Sequence, residues 1–305
     1  MPEGQSRSRL TDAVTVSGYR LGSLAARLMP SPIAAGAASS LGFGVSFASP
    51  TRRRMIERHL HRVNPKLTGG SLRVAVQQAF DSYARYYMES FRLPALSKRT
   101  VARTFTIDGW DQVLTGLEKG NGVILALPHL GGWEWAGRWV TDQGYKMTVV
   151  VEALEPPELF EWFADLRSEL GMTVVPTGPK AAAAVLKALR ANEIVCLLCD
   201  RDIDRSGVEV EFFGERTTLP AGPAMLSLRA GAPLFPAGCY FTPRLDGHHT
   251  IVRPLVPAQR MGGLRDDVAR VTQSLARELE FLIRRSPEQW HLFQPNWPSD
   301  PGYYE

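Results

Sequence analysis

The segment VILALPHLGGWEWAG, residues 123–137, carries one histidine, His129, and one glutamate, Glu134, five positions apart. A carboxylate beside an imidazole makes a general base: it fixes the tautomer and stabilises the imidazolium that forms. On one continuous helix the two side chains would diverge by about 140°. Across a strand–turn–helix corner they can meet, and Gly131 and Gly132 permit such a corner. The same residues also suit a structural role, with His129 capping a helix and Glu134 complementing its dipole. No G-x-S-x-G occurs in the chain, and no Ser or Cys adjoins His129. A base without a protein nucleophile activates a substrate hydroxyl or a water. The amides from Gly131 to Trp133, at the start of the following helix, suit an oxyanion.

Other residues with chemical capacity follow other apolar runs. Glu152 ends KMTVVVEA, and Arg167 lies on PPELFEWFADLRSELG with a planar donor fork suited to phosphate or a carbonyl. A structural ion pair is the alternative for both. Asp200-Arg201-Asp202 follows EIVCLLC. Such an acidic pair can hold a divalent metal, bind sugar hydroxyls, or salt-bridge Arg201 and Arg205. Trp133, Trp135 and Trp139 cluster near His129 and suit a groove or a core. His248 and His249 sit in the turn LDGHHT and are expected at the surface. His291 has no assigned role. Cys196 and Cys199, three apart on a strand, point to opposite faces. With Cys239 they read as buried free thiols.

These residues need elements to position them. From Phe105 onward short β-branched runs alternate with amphipathic helices. Strands are expected at GVILALP, KMTVVVEA, MTVVP, EIVCLLC, PLFPAGCYF and HTIVRPL. Helices are expected near 132–143, 156–170, 179–191, 221–230 and 264–285. This alternation predicts an α/β fold with a mostly parallel central sheet flanked by helices on both faces. Ligands then bind beyond the carboxyl ends of the strands, where His129, Glu152 and Asp200 fall. VEVEFFGERTTLP alternates with period two and predicts a hairpin over the site. Residues 6–28, 52–64 and 71–95 read as helices, the last with Ser71 as N-cap. The organisation is a helical N-terminal subregion, 1–104, packed on an α/β core, 105–305, as one structural unit.

Charge is divided unevenly along the chain. Residues 1–105 hold 16 Lys and Arg against 5 Asp and Glu, a net of +11, and the remainder hold 19 against 26, a net of −7. A basic end beside an acidic body suits an anionic partner. Arg52-Arg53-Arg54 directly follows the charge-free run Leu28–Thr51, in which Pro30, Pro32, Pro50 and many small residues make a poor spanning helix. A shallow membrane dip or a buried helical pair is expected there, with an anionic membrane surface as the partner of the basic residues. Nucleic acid is not expected, because the basic part has little aromatic interleaving. No cleavable signal peptide is evident.

The pattern in ALPHLGGWEWAG resembles the lysophospholipid acyltransferase superfamily, and its glutamate resembles the lipid A late-acyltransferase branch. The blocks LFEWFADLRSELGM, CLLCDRDIDRSGVEVEFFGERTTLPAGPAMLSLRAGAPLFP and SPEQWHLFQPNW agree, so the resemblance covers roughly residues 70–298. Within that branch the chain is similar to the group that acylates phosphatidylinositol mannosides. The tail LFQPNW departs from the paired arginines usual after the tryptophan of lipid A enzymes, which favours a neutral sugar acceptor. The resemblance implies an acyl-CoA-dependent O-acyltransferase, peripheral to the inner face of the cell membrane. Its donor is acyl-CoA, carrying a long chain such as palmitoyl, and its acceptor is a mannose hydroxyl of mannosylated phosphatidylinositol. It implies no metal and no further cofactor.

In this reading His129 is the base and Glu134 orients it. Leu130, Gly131, Gly132, Trp133, Glu152, Arg167, Asp200, Arg201 and Asp202 line the substrate sites. A long acyl chain also requires an apolar tunnel, for which Leu127, Leu130, Trp133, Trp135 and Ala181–Ala184 are the expected walls. Two rivals remain at this point: a metal-dependent membrane glycosyltransferase using Asp200 and Asp202, and a non-catalytic protein that binds membranes through its basic end.

Overall fold

The computed structural model describes residues 3–152 and 156–304. The N-terminal part is helical: α1 (Glu3–Leu28), α2 (Ser31–Ala48), α3 (Pro50–Val63), α4 (Gly69–Arg92) and α5 (Lys98–Thr104). The α/β part follows as β1 (Phe105–Asp108), α6 (Trp110–Leu117), β2 (Val123–Leu127), α7 (Trp133–Asp142), β3 (Met147–Val151), α8 (Pro157–Glu169), β4 (Met172–Pro176), α9 (Ala181–Arg190) and β5 (Ile194–Leu198). Then come β6 (Val208–Phe212), β7 (Glu215–Leu219), α10 (Gly222–Ala230), β8 (Leu234–Phe241), β9 (His248–Val252) and α11 (Leu264–Arg285).

Seven strands form one sheet in the order β1-β9-β8-β2-β5-β3-β4. Pairing is parallel except between β8 and β9. β2 and β8 are buried along their whole length, which is why they read as unbroken apolar runs. One face of the sheet packs against α9, α10 and α11 through residues such as Val185, Leu226 and Leu279. The other packs against α5, α7 and α8 through Val101, Trp135 and Leu166. The expected layered α/β architecture is therefore present. β1 and α6 were not anticipated. The expected strand KMTVVVEA ends at Val151, and Ala153 lies outside the described residues. Ser71 is not the N-cap of α4: Thr68 holds that place, and its amide donates to Ser71 Oγ at 3.3 Å. The hairpin β6–β7 forms, but it lies on α11, bonded from the Glu211 amide to Gln273 and from the Phe213 amide to Glu280.

The charge-free run is not a buried helical pair. It forms α2, whose small residues Ala34, Ala38, Gly42 and Ser46 recur every fourth position on one buried face. That face packs closely on α4: a Cβ at Gly42 would stand 2.8 Å from the Asp81 Cα. The large apolar residues Ile33, Leu41, Phe43 and Phe47 point outward, as do Leu21, Leu24 and Leu28 of α1. No helix among the described residues is long and apolar enough to cross a membrane.

Candidate active site

β2 and β5 are adjacent parallel strands with Leu127 opposite Leu198, and the Cys199 amide continues the ladder to the Leu127 carbonyl at 2.9 Å. Two residues past each of those leucines stand His129 and Asp200. The register therefore sets them side by side, and His129 Nδ1 lies 2.6 Å from Asp200 Oδ1. Asp200 is fully buried. Its Oδ2 accepts the Trp290 indole N–H at 2.7 Å, and its carbonyl accepts Asn296 Nδ2 at 3.3 Å. Burial alone would push the Asp200 carboxyl up, but His129 and Trp290 more than offset it and hold the group below its ordinary value. His129 keeps 18% of its side chain exposed. With Nδ1 on the carboxylate, Nε2 is the nitrogen left to meet a substrate.

The expected pair of His129 with Glu134 does not form. Glu134 Oε1 accepts Arg167 Nε at 3.0 Å, Arg167 Nη2 at 2.7 Å and the Tyr86 hydroxyl at 3.2 Å. The cause is direction: β2 delivers His129 toward β5, whereas the first turn of α7 turns Glu134 toward α4 and α8. Burial opposes the Arg167 charge, yet Glu134 and Tyr86 raise its pKa further above the ordinary guanidinium value. Burial, reinforced by Glu134, likewise pushes the Tyr86 phenol up.

The connecting turn depends on Gly131, at φ +57°, where a Cβ would stand 2.2 Å from the Cys239 carbonyl oxygen. Its amide donates to the Gln289 carbonyl at 2.9 Å and so leaves the expected oxyanion set. Among the described residues the amides of Gly132, Trp133 and Glu134 have no protein acceptor. Leu130 is fully buried and bridges to Trp290, so it belongs to the core and not to a substrate wall. Trp133 stands edge-on to His129, ring centroids 5.7 Å apart, and stacks on Tyr86 at 4.1 Å. Trp135 instead stacks on His248, and Trp139 packs on Phe105.

Glu152 and Arg201 pair with each other at 2.6 Å, joining the ends of β3 and β5 while staying partly exposed. The acidic pair is divided. Asp200 turns inward to His129, and Asp202 accepts the Gly207 amide at 2.7 Å and closes its own loop. Both oxygens of Asp200 are engaged, by His129 and by Trp290, so the acidic pair is not arranged as the glycosyltransferase reading needs. Among the described residues no three His, Cys, Asp or Glu side chains are grouped to hold a metal.

Beneath α7 lies a narrow apolar cavity of about 60 Å³, walled by Leu125, Leu127, Ala136, Val149 and Met172, with Trp133, Glu134 and Arg167 also on its lining. Of the residues expected to wall a tunnel, Leu127 and Trp133 line this cavity. Leu130 and Trp135 do not, and α9 with Ala181–Ala184 packs on the opposite face of the sheet.

A family model of bacterial lipid A biosynthesis acyltransferases matches residues 1–299. The chain belongs to that acyltransferase family. Two relatives match nearly the whole acyltransferase. The phosphatidylinositol mannoside acyltransferase of Mycolicibacterium smegmatis is 36% identical over 298 residues, covering 96% of this chain and 95% of its own. The protein of the same name from Mycobacterium tuberculosis is 37% identical over 308 residues, covering 96% and 92%.

Several residues around this acyltransferase site were given no role by the sequence. Tyr86 reaches it from α4 with nothing local to mark it, and Trp290 and Asn296 reach it from the tail block SPEQWHLFQPNW, which carried the resemblance without a role for either. His291 donates its amide to the His129 carbonyl at 2.7 Å, and its ring Nε2 lies 2.9 Å from Ser82 Oγ. Burial, with the neighbouring His129, pushes its imidazole down to about 3, so it stays neutral. The partner of His129 was legible in principle. Asp200 becomes the obvious one once β2 and β5 are known to be neighbours, because each residue lies two beyond its strand.

Proposed function

We propose that this acyltransferase moves a long fatty acyl chain, such as palmitoyl, from acyl-CoA to a mannose hydroxyl of a phosphatidylinositol mannoside at the inner face of the cell membrane. The observation that carries the reading is the His129–Asp200 pair at the carboxyl edge of the sheet, close to an apolar cavity. The names of the relatives supply the acceptor class.

His129 Nε2 takes the proton of the mannose hydroxyl as its oxygen attacks the thioester carbonyl. Asp200 holds Nδ1–H and stabilises the imidazolium. The amides of Trp133 and Glu134 face the oxyanion at the helix start. The C–S bond breaks, an ester C–O bond remains, and the imidazolium proton goes to the departing CoA thiolate. Glu134 acts on the other side of the turn, fixing Arg167 on the cavity lining. The cavity is far smaller than the roughly 300–1,000 Å³ of a preformed ligand pocket. A sixteen-carbon chain therefore enters by parting the side chains under α7.

The outward apolar residues of α1 and α2 and the exposed Arg52 and Arg54 suit a peripheral contact with anionic lipid. Binding to vesicles should require anionic lipid, fall with charge reversal at Arg52 and Arg54, and fall with salt as the Debye length shrinks to about 3 Å at 1 M. Equal binding to neutral vesicles would remove this part. The deciding experiment incubates pure protein with labelled palmitoyl-CoA and mannosylated phosphatidylinositol in the presence of a chelator. Label on a mannose ester is expected. No transfer, or transfer only after a divalent metal is restored, would overturn the reading.

A further inference from the structure

Residues 289–297 run along the turn that carries His129. The Gly131 amide donates to the Gln289 carbonyl, the His291 amide donates to the His129 carbonyl, and between them the Trp290 indole reaches Asp200 Oδ2 at 2.7 Å. Trp290 is itself buried, with its ring near Phe213, His59 and Trp297. Each oxygen of Asp200 has one side-chain donor: His129 for Oδ1 and Trp290 for Oδ2.

We infer that Trp290 is a positioning residue of the acyl-transfer reaction, its indole N–H holding the Asp200 carboxylate in the orientation that keeps Oδ1 on His129. The inference rests on His129 acting as the base. A fully buried carboxylate with one donor removed is less well stabilised as an anion and attracts the remaining proton more strongly. Loss of the indole N–H should therefore make His129 more basic and Asp200 less firmly placed. The other titratable groups facing the pair are His291, from the tail, and Cys199, beside Asp200. His291 has its pKa lowered to about 3, and burial raises the Cys199 thiol well above its ordinary value, so neither changes charge near neutrality.

Trp290→Phe keeps a buried aromatic ring and removes the donor. Trp297→Phe is the matched control: Trp297 is equally buried in the same segment, and its indole N–H goes to the Phe212 carbonyl at 3.1 Å, away from the pair. For Trp290→Phe, kcat for transfer from palmitoyl-CoA to mannosylated phosphatidylinositol should fall about ten- to a hundredfold, the range of one hydrogen bond to a charged group. Both KM values should hold, and the acid limb of kcat/KM should move to higher pH. Trp297→Phe should lower Tm without moving that limb. The His129 pKa, read by NMR of isotope-labelled histidine and assigned by its loss in His129→Asn, should rise in Trp290→Phe alone. An acid limb and NMR titration that stay in place or fall in Trp290→Phe, or that move equally in Trp297→Phe, would overturn the inference. Absence of transfer by the unaltered protein would instead strike the proposed function, and the NMR titration would still decide the role of Trp290.

Discussion

Two histidine–carboxylate pairs stand at the same edge of the sheet, on either side of the turn after β2. In one, His129 Nδ1 lies 2.6 Å from Asp200; in the other, His248 Nε2 lies 2.8 Å from Glu89. Both carboxyls are buried and held below their ordinary value: burial pushes each up, and the partner histidine, with Trp290 or Arg85, more than offsets it. The difference lies at the second ring nitrogen. His248 Nδ1 faces the Asp246 carbonyl at 3.0 Å, its ring stacks on Trp135, and none of its side chain is exposed. A Cβ on Gly132 would stand 2.5 Å from His248 Nε2, so this ring also seals the back of the turn. His129 turns one nitrogen to the protein and leaves the other open. The same pair of groups clamps α4 to β9 in one place and suits proton transfer in the other, and access decides which.

Mutating the two histidines should separate these roles most sharply. His129→Ala should lower acyl transfer at least ~100-fold while the protein still folds, with a lowered Tm because the buried Asp200 loses one of its two side-chain partners. His248→Ala should lower stability by about 3 kcal/mol, as for a broken buried pair, while the folded fraction keeps most of its activity. A folded His129→Ala protein with near-normal turnover would erase the distinction. Next come the carboxylates. Asp200→Asn should cost roughly 10³-fold in kcat, since an amide can hold the wrong imidazole tautomer. Glu134→Gln should cost much less, because the amide oxygen can still accept from Arg167. Steady-state kinetics giving the reverse order would restore Glu134 as the partner of His129.

The smallest effect expected is in acid. Asp200 and Glu89 have depressed folded pKa values, so their stabilisation is fully present above the unfolded carboxylate value near 4. It is lost as pH falls below that value, through the folded ones. Glu89→Gln should be less stable than the unaltered protein at neutral pH and should lose less on acidification. Denaturant midpoints across that range that fall in parallel for both proteins would show that Glu89 carries no share.

The fold was largely legible because its signals are local. Unbroken apolar runs such as VILAL and period-3.6 stretches such as 264–285 name their own element. β1 was missed because four residues directly after a helix carry too little alternation to register. α2 was left between two readings because its large apolar residues face outward and its small ones inward, the reverse of a soluble helix. The site was half legible. His129 and its glycine turn follow from spacing, but Glu134 looked like the partner only because it is near in sequence. The true neighbour comes from strand order, which sequence spacing does not encode. His248 was placed at the surface for the same reason: nothing in LDGHHT reveals that α4 covers it.

The ladder that joins β2 to β5 has a kinetic consequence. His129 and Asp200 are 71 residues apart in the chain, and Asp200 and Trp290 are 90 apart. Neither contact can form until distant segments have met, and such encounters are the slow part of folding. On dilution from denaturant, helical signal should return first and catalytic competence last. The regain of turnover would then serve as a clock for the completion of the sheet.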